Sequence, residues 1–459
     1  MTTTDAYGLE MTTSGSDDQR LFDSMLAGYL YFEADLVDRM GAVAAVGDDA
    51  APMARVLHAQ LMAMSHTAAG VSLAGDVAAA LSNVGLTHRE ELHVAALDAV
   101  ARGDVDTATA AWGAVLDAWP HDMMALRLQH FALFNRGDLD QMARRAQQAA
   151  AAWDAASAIT DRPLIDGMIC FALEEQGRYE DAEWHGRAAV SAQPDDLWGI
   201  HAIAHVLEMT GRAEEGREWV TGHGDTLHGH GSFAGHIWWH LALYLLETGD
   251  HPAAMRLFDT EVFSPGAVEG LTLTNAIALL ARAEWAGHDV GDRWTLLVDG
   301  AAMRIGHHSH PFNDCHYAYA LARAGEADRA GSLVDSMRTW ADSHADTASE
   351  VMTGAGLAIA EGMLNLAEGR HEAAHDLLSR TAGDRWRIGG SHAQRDLFAQ
   401  AELVAAIAAG RSAAARQLAD ARLAAKPESP RNHVWQAAAD PDRHDVAMSR
   451  ARSLGWIAA

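Results

Sequence analysis

Two histidine pairs in the middle of the chain have the most distinctive chemistry. His201 and His205 belong to the segment HAIAH, and His236 and His240 belong to the segment HIWWH. A spacing of four residues places both imidazoles of a pair on one face of a helix. Such pairs can chelate a divalent metal ion, and neutral imidazoles can also move protons in acid–base catalysis. Neither segment has the Glu of an H-E-x-x-H zinc protease motif.

A short turn motif follows both segments and recurs along the chain. It consists of helix formers, a glycine, a polar residue and a new amphipathic run, as in ARGDVDTAT and LAEGRHEAA. A glycine that closes one helix before another begins is typical of a helix–turn–helix unit. By subtraction of their numbers, the glycines are 34 to 44 residues apart: Gly103, Gly137, Gly177, Gly211, Gly249, Gly287, Gly325, Gly369 and Gly410. This period predicts an all-α fold, a tetratricopeptide-like right-handed α-solenoid of about nine helical pairs.

The pattern predicts four regions. Residues 1–20 are polar and rich in Thr, Ser and Gly, and we expect a flexible N-terminal arm. Residues 21–85 show helical spacing without the turn motif and are predicted to be an N-terminal helical cap. The repeat solenoid is expected over 86–425, and a C-terminal cap over 426–459.

Composition limits the partners and the compartment. The chain has 459 residues, with 34 Lys and Arg against 63 Asp and Glu, a formal charge of −29. This balance argues against nucleic acid and anionic lipid as partners. The sequence shows neither a signal peptide nor an apolar run of about 18 residues, so no membrane segment is expected. Its two cysteines, Cys170 and Cys315, lack metal-type spacing, which favours a reducing cytoplasm. The sequence leaves open whether the chain forms a homo-oligomer.

Further polar residues fall on the helices that line the concave side of such a solenoid. Convergent polar groups among apolar neighbours are typical of a small-molecule site. We expect Asp314 and His316 to orient the imidazoles or act as further acid–base groups, and Arg395 with Asp396 to clamp an anion. The candidate substrate-binding residues are His121, Asp122, Asp166, Trp238, Asn313, His392, Arg395 and Asp396.

These residues support three hypotheses. In the first, the protein is a small-molecule enzyme that performs hydrolysis or elimination by His-centred acid–base chemistry. In the second, His201, His205, His236 and His240 bind a divalent metal ion that assists the reaction; no other cofactor is indicated. In the third, the chain is a non-catalytic scaffold for a peptide or protein partner. The histidines of HGH at 228–230 and HHSH at 307–310 are expected in loops, where they could bind metal without function.

Ordered motifs along the chain also resemble a known family. They are THREELH at 87–93, PHDMMAL at 120–126, LEEQG at 173–177, IHAIAHVLEM at 200–209, HIWWHLAL at 236–243, NDCH at 313–316 and GGSHAQRD at 389–396. This succession resembles the tetratricopeptide repeat protein 38 family over about residues 80–425. The resemblance implies a helical solenoid of this repeat type and supplies no catalytic assignment.

Overall fold

The computed structural model describes residues 1–47, 50–156, 161–228 and 231–457, and the chain forms two compact units. His230 of the HGH segment lies outside the described residues. Unit 1 comprises Met1–Ile203 with the short pieces Thr226–Gly231 and Ala345–Ala348; unit 2 comprises Ala204–Asp225, Ser232–His344 and Ser349–Ala459. The predicted solenoid therefore contributes to both units, and its predicted bounds stay a prediction.

Unit 1 contains a β-hairpin and the first helices. Strand β1 (Thr2–Thr4) pairs antiparallel with β2 (Glu10–Thr12). The helices are α1 (Ser16–Leu30), α2 (Leu36–Ala44), α3 (Pro52–Ala63), α4 (Ala68–Leu81), α5 (His88–Ala101), α6 (Val105–Ala118), α7 (Met123–Arg136), α8 (Leu139–Ala155), α9 (Arg162–Glu175) and α10 (Tyr179–Ala192). Helix α11 (Leu197–Met209) begins in unit 1 and ends in unit 2.

Unit 2 is built from the remaining helices. They are α12 (Ala213–Gly222), α13 (Gly224–Leu227, shared with unit 1), α14 (Ser232–Thr248), α15 (His251–Leu257), α16 (Gly270–Trp285), α17 (Val298–Ala302), α18 (Pro311–Arg323), α19 (Ala327–Ser343), α20 (Thr347–Val351, shared with unit 1), α21 (Leu357–Ala367), α22 (His371–Arg380), α23 (His392–Ala408), α24 (Ser412–Ala425), α25 (Pro430–Ala439) and α26 (His444–Ser453). Short π-helical or 3₁₀-helical segments lie at Phe258–Val262, Arg293–Leu297, Met352–Gly356, Arg385–Ile388 and Pro441–Arg443.

The predicted turn glycines close helices as expected. All nine have positive φ angles, between 66° and 90°, a region that glycine enters without steric cost. At Gly137, its N–H donates to Phe134 O and the next N–H, of Asp138, donates to Leu133 O. This pair of bonds is the Schellman motif. Asp138 then caps α8 by accepting from Gln141 N. One glycine and one polar residue thus end one helix and start the next.

Helices that follow one another pack together within each unit. In unit 1, for example, α5 packs on α6, α6 on α7, and α9 on α10; in unit 2, α18 packs on α19 and α21 on α22. Short turns and apolar faces produce this succession. The prediction of an all-α, tetratricopeptide-like repeat fold is confirmed.

The N-terminal segment contacts helix α5, and its predicted flexibility stays a prediction. Thr12 donates through its N–H and its hydroxyl to the Glu90 carboxylate, at 2.8 and 2.6 Å. Asp5 is buried and pairs with Arg89 at 2.9 Å, and Met11 is fully buried. Strands of three residues are too short to give a periodic signal, so the hairpin was not predictable from local sequence.

No helix among the described residues is both long and apolar enough to cross a lipid bilayer.

We predict that Gly216→Ala destabilises unit 2. A Cβ at this position on α12 would overlap the ring of Tyr244, whose contact with α12 requires glycine. Overpacking of this kind costs about 1–3 kcal/mol. The control is Gly222→Ala on the same helix, where a Cβ meets nothing within 4 Å. Thermal unfolding should show a lower Tm for the first variant alone; equal Tm values for both variants would contradict the packing argument.

Candidate functional site

Helices α11 and α14 carry the predicted histidine pairs. Both are rich in apolar residues, and His205, His236 and His240 are at most 3% exposed. The Tyr244 hydroxyl on α14 donates to Ala204 O on α11 over 2.5 Å. In unit 2, this bond and the surrounding apolar side chains hold α14 beside the second half of α11.

Three imidazoles converge within unit 2. One nitrogen each of His205, His236 and His240 lies within 4.8 Å of the others. The ring centroids of His205 and His240 are 4.5 Å apart, and those of His236 and His240 are 5.0 Å apart. His201 lies one turn before His205 on α11; in unit 1 its ring packs on Phe171. A zinc ion binds imidazole nitrogens at about 2.0–2.1 Å, so these three nitrogens of unit 2 are candidate ligands of one ion.

Acceptors fix the orientation of two of these rings. His240 Nδ1 lies 2.9 Å from a carboxylate oxygen of Glu208, and His236 Nδ1 lies 3.0 Å from Asn275 Oδ1. A carboxylate or amide oxygen accepts, so each Nδ1 carries the proton and the ring lone pair is on Nε2. Metal-binding histidines are usually held in this way by a second residue.

The environment keeps the imidazoles of His205 and His236 neutral. Burial lowers the pKa of His205 well below its usual value, and repulsion by the neighbouring histidines lowers it further. Burial and His240 lower the pKa of His236 to about 3, although its bond to Asn275 opposes the shift. Neutral imidazole is the form that coordinates a metal ion, and a group with such a pKa is a weak base near pH 7.

Asp314 and His316 on α18 have partners of their own. His308 donates from Nδ1 to Asp314 over 3.0 Å, and His316 donates from Nδ1 to Phe312 O over 2.8 Å. Burial raises the pKa of Asp314 and lowers that of His316 to about 3. His308 belongs to the HHSH segment, which lies in a loop as expected, and its side chain is buried. A catalytic role of Asp314 and His316 stays a prediction.

The candidates in unit 1 take part in local polar networks. Asp122 caps α7 and accepts from Arg89 and His93, both at 3.0 Å. Burial alone would raise the pKa of Asp122, but His93 and Arg89 lower it to about 2. His121 packs edge-on against Trp153, with ring centroids 4.9 Å apart.

Asp166, the remaining unit 1 candidate, forms an ion pair with Arg162 at 2.7 Å and accepts from His185 at 2.8 Å.

The other substrate-binding candidates belong to unit 2. Trp238 on α14 is partly buried beside Gly224, and Asn313 on α18 lies next to Gly270. His392 is the first residue of α23. Its imidazole lowers the pKa of His205 by disfavouring the protonated form of His205.

Arg395 and Asp396 bond to different partners. Arg395 donates to Gly390 O of its own segment, whereas Asp396 accepts twice from Arg422, at 2.6 and 3.0 Å. The ion pair compensates the charge of the Asp396 carboxylate, whose side chain is partly buried. Their predicted role as an anion clamp stays untested.

The predicted common cavity would draw on residues of both units and stays a prediction. Within unit 2, three basic residues that were not predicted from the sequence line one cavity together with Glu208: Arg282, Lys426 and Arg431. One sequence signal points to Arg282, a guanidinium within the apolar run LTLTNAIALLARAEW. Another points to Lys426, because the chain contains no other lysine.

Comparisons with known proteins add little to this description. No family model matches the chain. Among solved structures, the chain is similar to the human IFIT1 dimer with m7Gppp-AAAA, at 10% identity and a TM-score of 0.39. The match covers 97% of this chain and 90% of the other. A likeness at this level carries no argument about function. The helices and turns themselves define the class, an all-α protein of tetratricopeptide-like repeats.

We predict that Asp122→Asn destabilises unit 1 in a pH-dependent way. Asn can still cap α7, so the change removes only the charge. The folded pKa is below the ordinary 3.8, so ionisation of Asp122 stabilises the fold at neutral pH, by about 2–3 kcal/mol. This contribution is complete above a pH of about 4 and is lost as the pH falls toward 2. Melting curves from pH 7 to 2 should show a Tm difference that narrows in this window.

The control for Asp122→Asn is Asp138→Asn, which makes the same exchange at an exposed helix cap. Equal, pH-independent effects of both variants would contradict the electrostatic argument.

We also predict that Glu208→Gln weakens metal binding by the imidazoles about 10–100-fold, since residues that hold metal-binding histidines typically contribute this much. Gln keeps an acceptor for His240 Nδ1 but loses the negative charge. Zn²⁺ titration of chelator-treated protein measures the effect. The matched control is Glu214→Gln on α12, a carboxylate that is 71% exposed. Equal affinities of the two variants would exclude a supporting role for Glu208.

Proposed function

We propose that the protein is a tetratricopeptide-like repeat protein that binds a divalent metal ion at His205, His236 and His240 and uses it for reactions of a small molecule. Hydrolysis is the favoured reaction, and elimination is the other. The observation that carries this proposal is the convergence of three buried imidazoles, two of them with Nδ1 bonded to an acceptor.

Metal-assisted chemistry fits these imidazoles better than acid–base catalysis alone. A general acid or base works best with a pKa near the working pH, whereas burial places His205 and His236 far below it. Metal ligation instead requires the neutral ring. Glu208 adds a negative charge next to His240, which compensates part of the charge of a dication.

The number of ligands separates a catalytic from a structural ion. Three histidines leave one position of a tetrahedral zinc ion for water, whose pKa falls to about 7 in such sites. His201 is the remaining predicted ligand from the sequence, and a fourth protein ligand would close the site. We therefore propose His205, His236 and His240 as the ligands, which leaves the fourth position of the ion open.

Membership in the tetratricopeptide repeat protein 38 family and a cytoplasmic location are also part of the proposal. The ordered motifs and the sparse cysteines support them. The competing function is a non-catalytic scaffold for a peptide or protein partner, which requires no metal ion.

Metal content of untagged protein, purified without a metal column, tests the proposal. We expect about one ion per chain by mass spectrometry, as for a three-histidine zinc site, and its loss in the His205→Gln, His240→Gln variant. The control is His251→Gln, another buried histidine of unit 2, which donates to Gly249 O and lies outside the cluster.

Co²⁺ titration then reports the ligands directly, because its visible spectrum depends on coordination geometry. A tetrahedral spectrum that persists in His201→Gln supports three ligands and an open position. A spectrum that changes in this variant indicates a closed site. Absence of stoichiometric binding to the wild-type chain, for both Zn²⁺ and Co²⁺, would overturn the metal proposal and favour the scaffold.

A further inference from the structure

Unit 2 contains a cavity of about 40 Å³ that Glu208 helps to line. One water needs roughly 10–15 Å³ of such space, so a group of several atoms fits. Four basic side chains line this cavity, which we call the cationic cavity: Arg282, Arg422, Lys426 and Arg431. Lys426 is the single lysine of the whole chain.

Two of the arginines are buried, and the acceptors of their hydrogen bonds are neutral oxygens. Arg282 is 2% exposed and donates to Ala278 O and Ala393 O, at 3.3 and 3.0 Å. Arg431 is 5% exposed and donates from Nη2 to Arg282 O, at 3.0 Å, and to the Gln400 side chain. Neutral oxygens satisfy N–H groups but do not compensate the charge of a guanidinium.

Arg431 also has a donor without an acceptor. Its Nε–H is buried and has no hydrogen-bond partner among the described residues. Burial lowers the pKa of Arg431 to about 10 and lowers that of Arg282 as well, the direction expected for cations short of negative charge. A buried guanidinium donor next to a cavity is suited to an oxyanion.

The acidic residues of the cavity leave a positive excess. Three carboxyl groups face the four basic side chains, so at least one positive charge remains. Asp396 forms a two-point ion pair with Arg422, and Glu208 accepts a hydrogen bond from His240. Glu247 accepts from the Ser429 hydroxyl, and burial raises its pKa.

We propose that the cationic cavity binds the carboxylate of a small organic acid, with Arg431, Arg282 and Lys426 as its cationic partners. One carboxylate matches an excess of one positive charge and accepts from the buried Nε–H of Arg431. A phosphate group carries up to two negative charges, which exceeds the excess of one positive charge in the cavity.

The cationic cavity lies next to the proposed metal centre. Glu208 lines the cavity, and the same carboxylate accepts from His240 Nδ1. A bound organic acid would therefore have its carboxylate on one side of Glu208 and the imidazoles on the other. The role of the cationic cavity as a substrate subsite rests on the proposed function. Binding of a carboxylate in this cavity does not depend on it.

The single lysine permits a direct test. Untagged protein is treated with an amine-reactive ester, and mass spectrometry measures labelling of Lys426 and of the α-amino group in the same sample. Sodium acetate is compared with sodium chloride at equal ionic strength. Both salts then screen exposed charges equally, so a difference in labelling reports binding of acetate. We expect acetate to slow labelling of Lys426 several-fold without affecting the α-amino group.

Variants distinguish the cavity from a general salt effect. Arg431→Gln should abolish the protection, and Arg443→Gln, an exposed arginine of unit 2, should preserve it. Arg282→Gln serves as a second cavity variant if circular dichroism shows that Arg431→Gln is unfolded. Protection of Lys426 in metal-free protein supports the carboxylate site even if the metal proposal fails. Stronger protection by phosphate than by acetate, equal effects on both amines, or no protection would overturn the proposal.

Discussion

The pair of backbone hydrogen bonds at each turn glycine is the interaction on which the repeat structure depends. A helix that ends in a left-handed glycine returns its last carbonyls to the two following N–H groups. The next residue is then free to cap a new helix within the same turn. His205 lies six residues before Gly211, and His240 lies nine residues before Gly249, within three helical turns in both cases. Repeated turn chemistry therefore places both histidines near the end of the helix that the glycine closes.

Burial determines what those histidines can do. An imidazole in an apolar helix interface loses the hydration of its charged form, so its pKa falls and the neutral ring prevails. Neighbouring imidazoles strengthen the effect on His205 and His236. The acceptors Glu208 and Asn275 then select one tautomer of His240 and His236. Desolvation and second-residue hydrogen bonds thus favour ligation over proton transfer.

The fold was predictable to the extent that its signals are local. Glycine, a polar residue and an amphipathic run lie within a few residues of each other, and all nine predicted turn glycines have the positive φ angle that the turn requires. The hairpin was not predictable, because it depends on Glu90 and Arg89, which are far from it in sequence.

The candidate site was predictable only in part, for the same reason. The i, i+4 spacing pointed to His205, His236 and His240, which the fold brings together. Asp396 and Asp314 were read as functional groups, yet each has a structural partner, Arg422 and His308, that no spacing rule reveals. The cationic cavity combines residues around positions 208, 282 and 426–431, so only tertiary packing assembles it.

The overall charge of −29 and a cationic cavity are physically compatible. Charges on the surface are screened over about 8–10 Å at moderate ionic strength, whereas buried charges are screened far less. The acidic surface therefore repels anions weakly and does not neutralise Arg282 and Arg431, which are almost completely buried. A ligand that reaches the cavity interacts with these guanidinium groups at low effective dielectric. The preference of the cavity for an anion then depends on a few interior residues, and it cannot be predicted from the net charge of the chain.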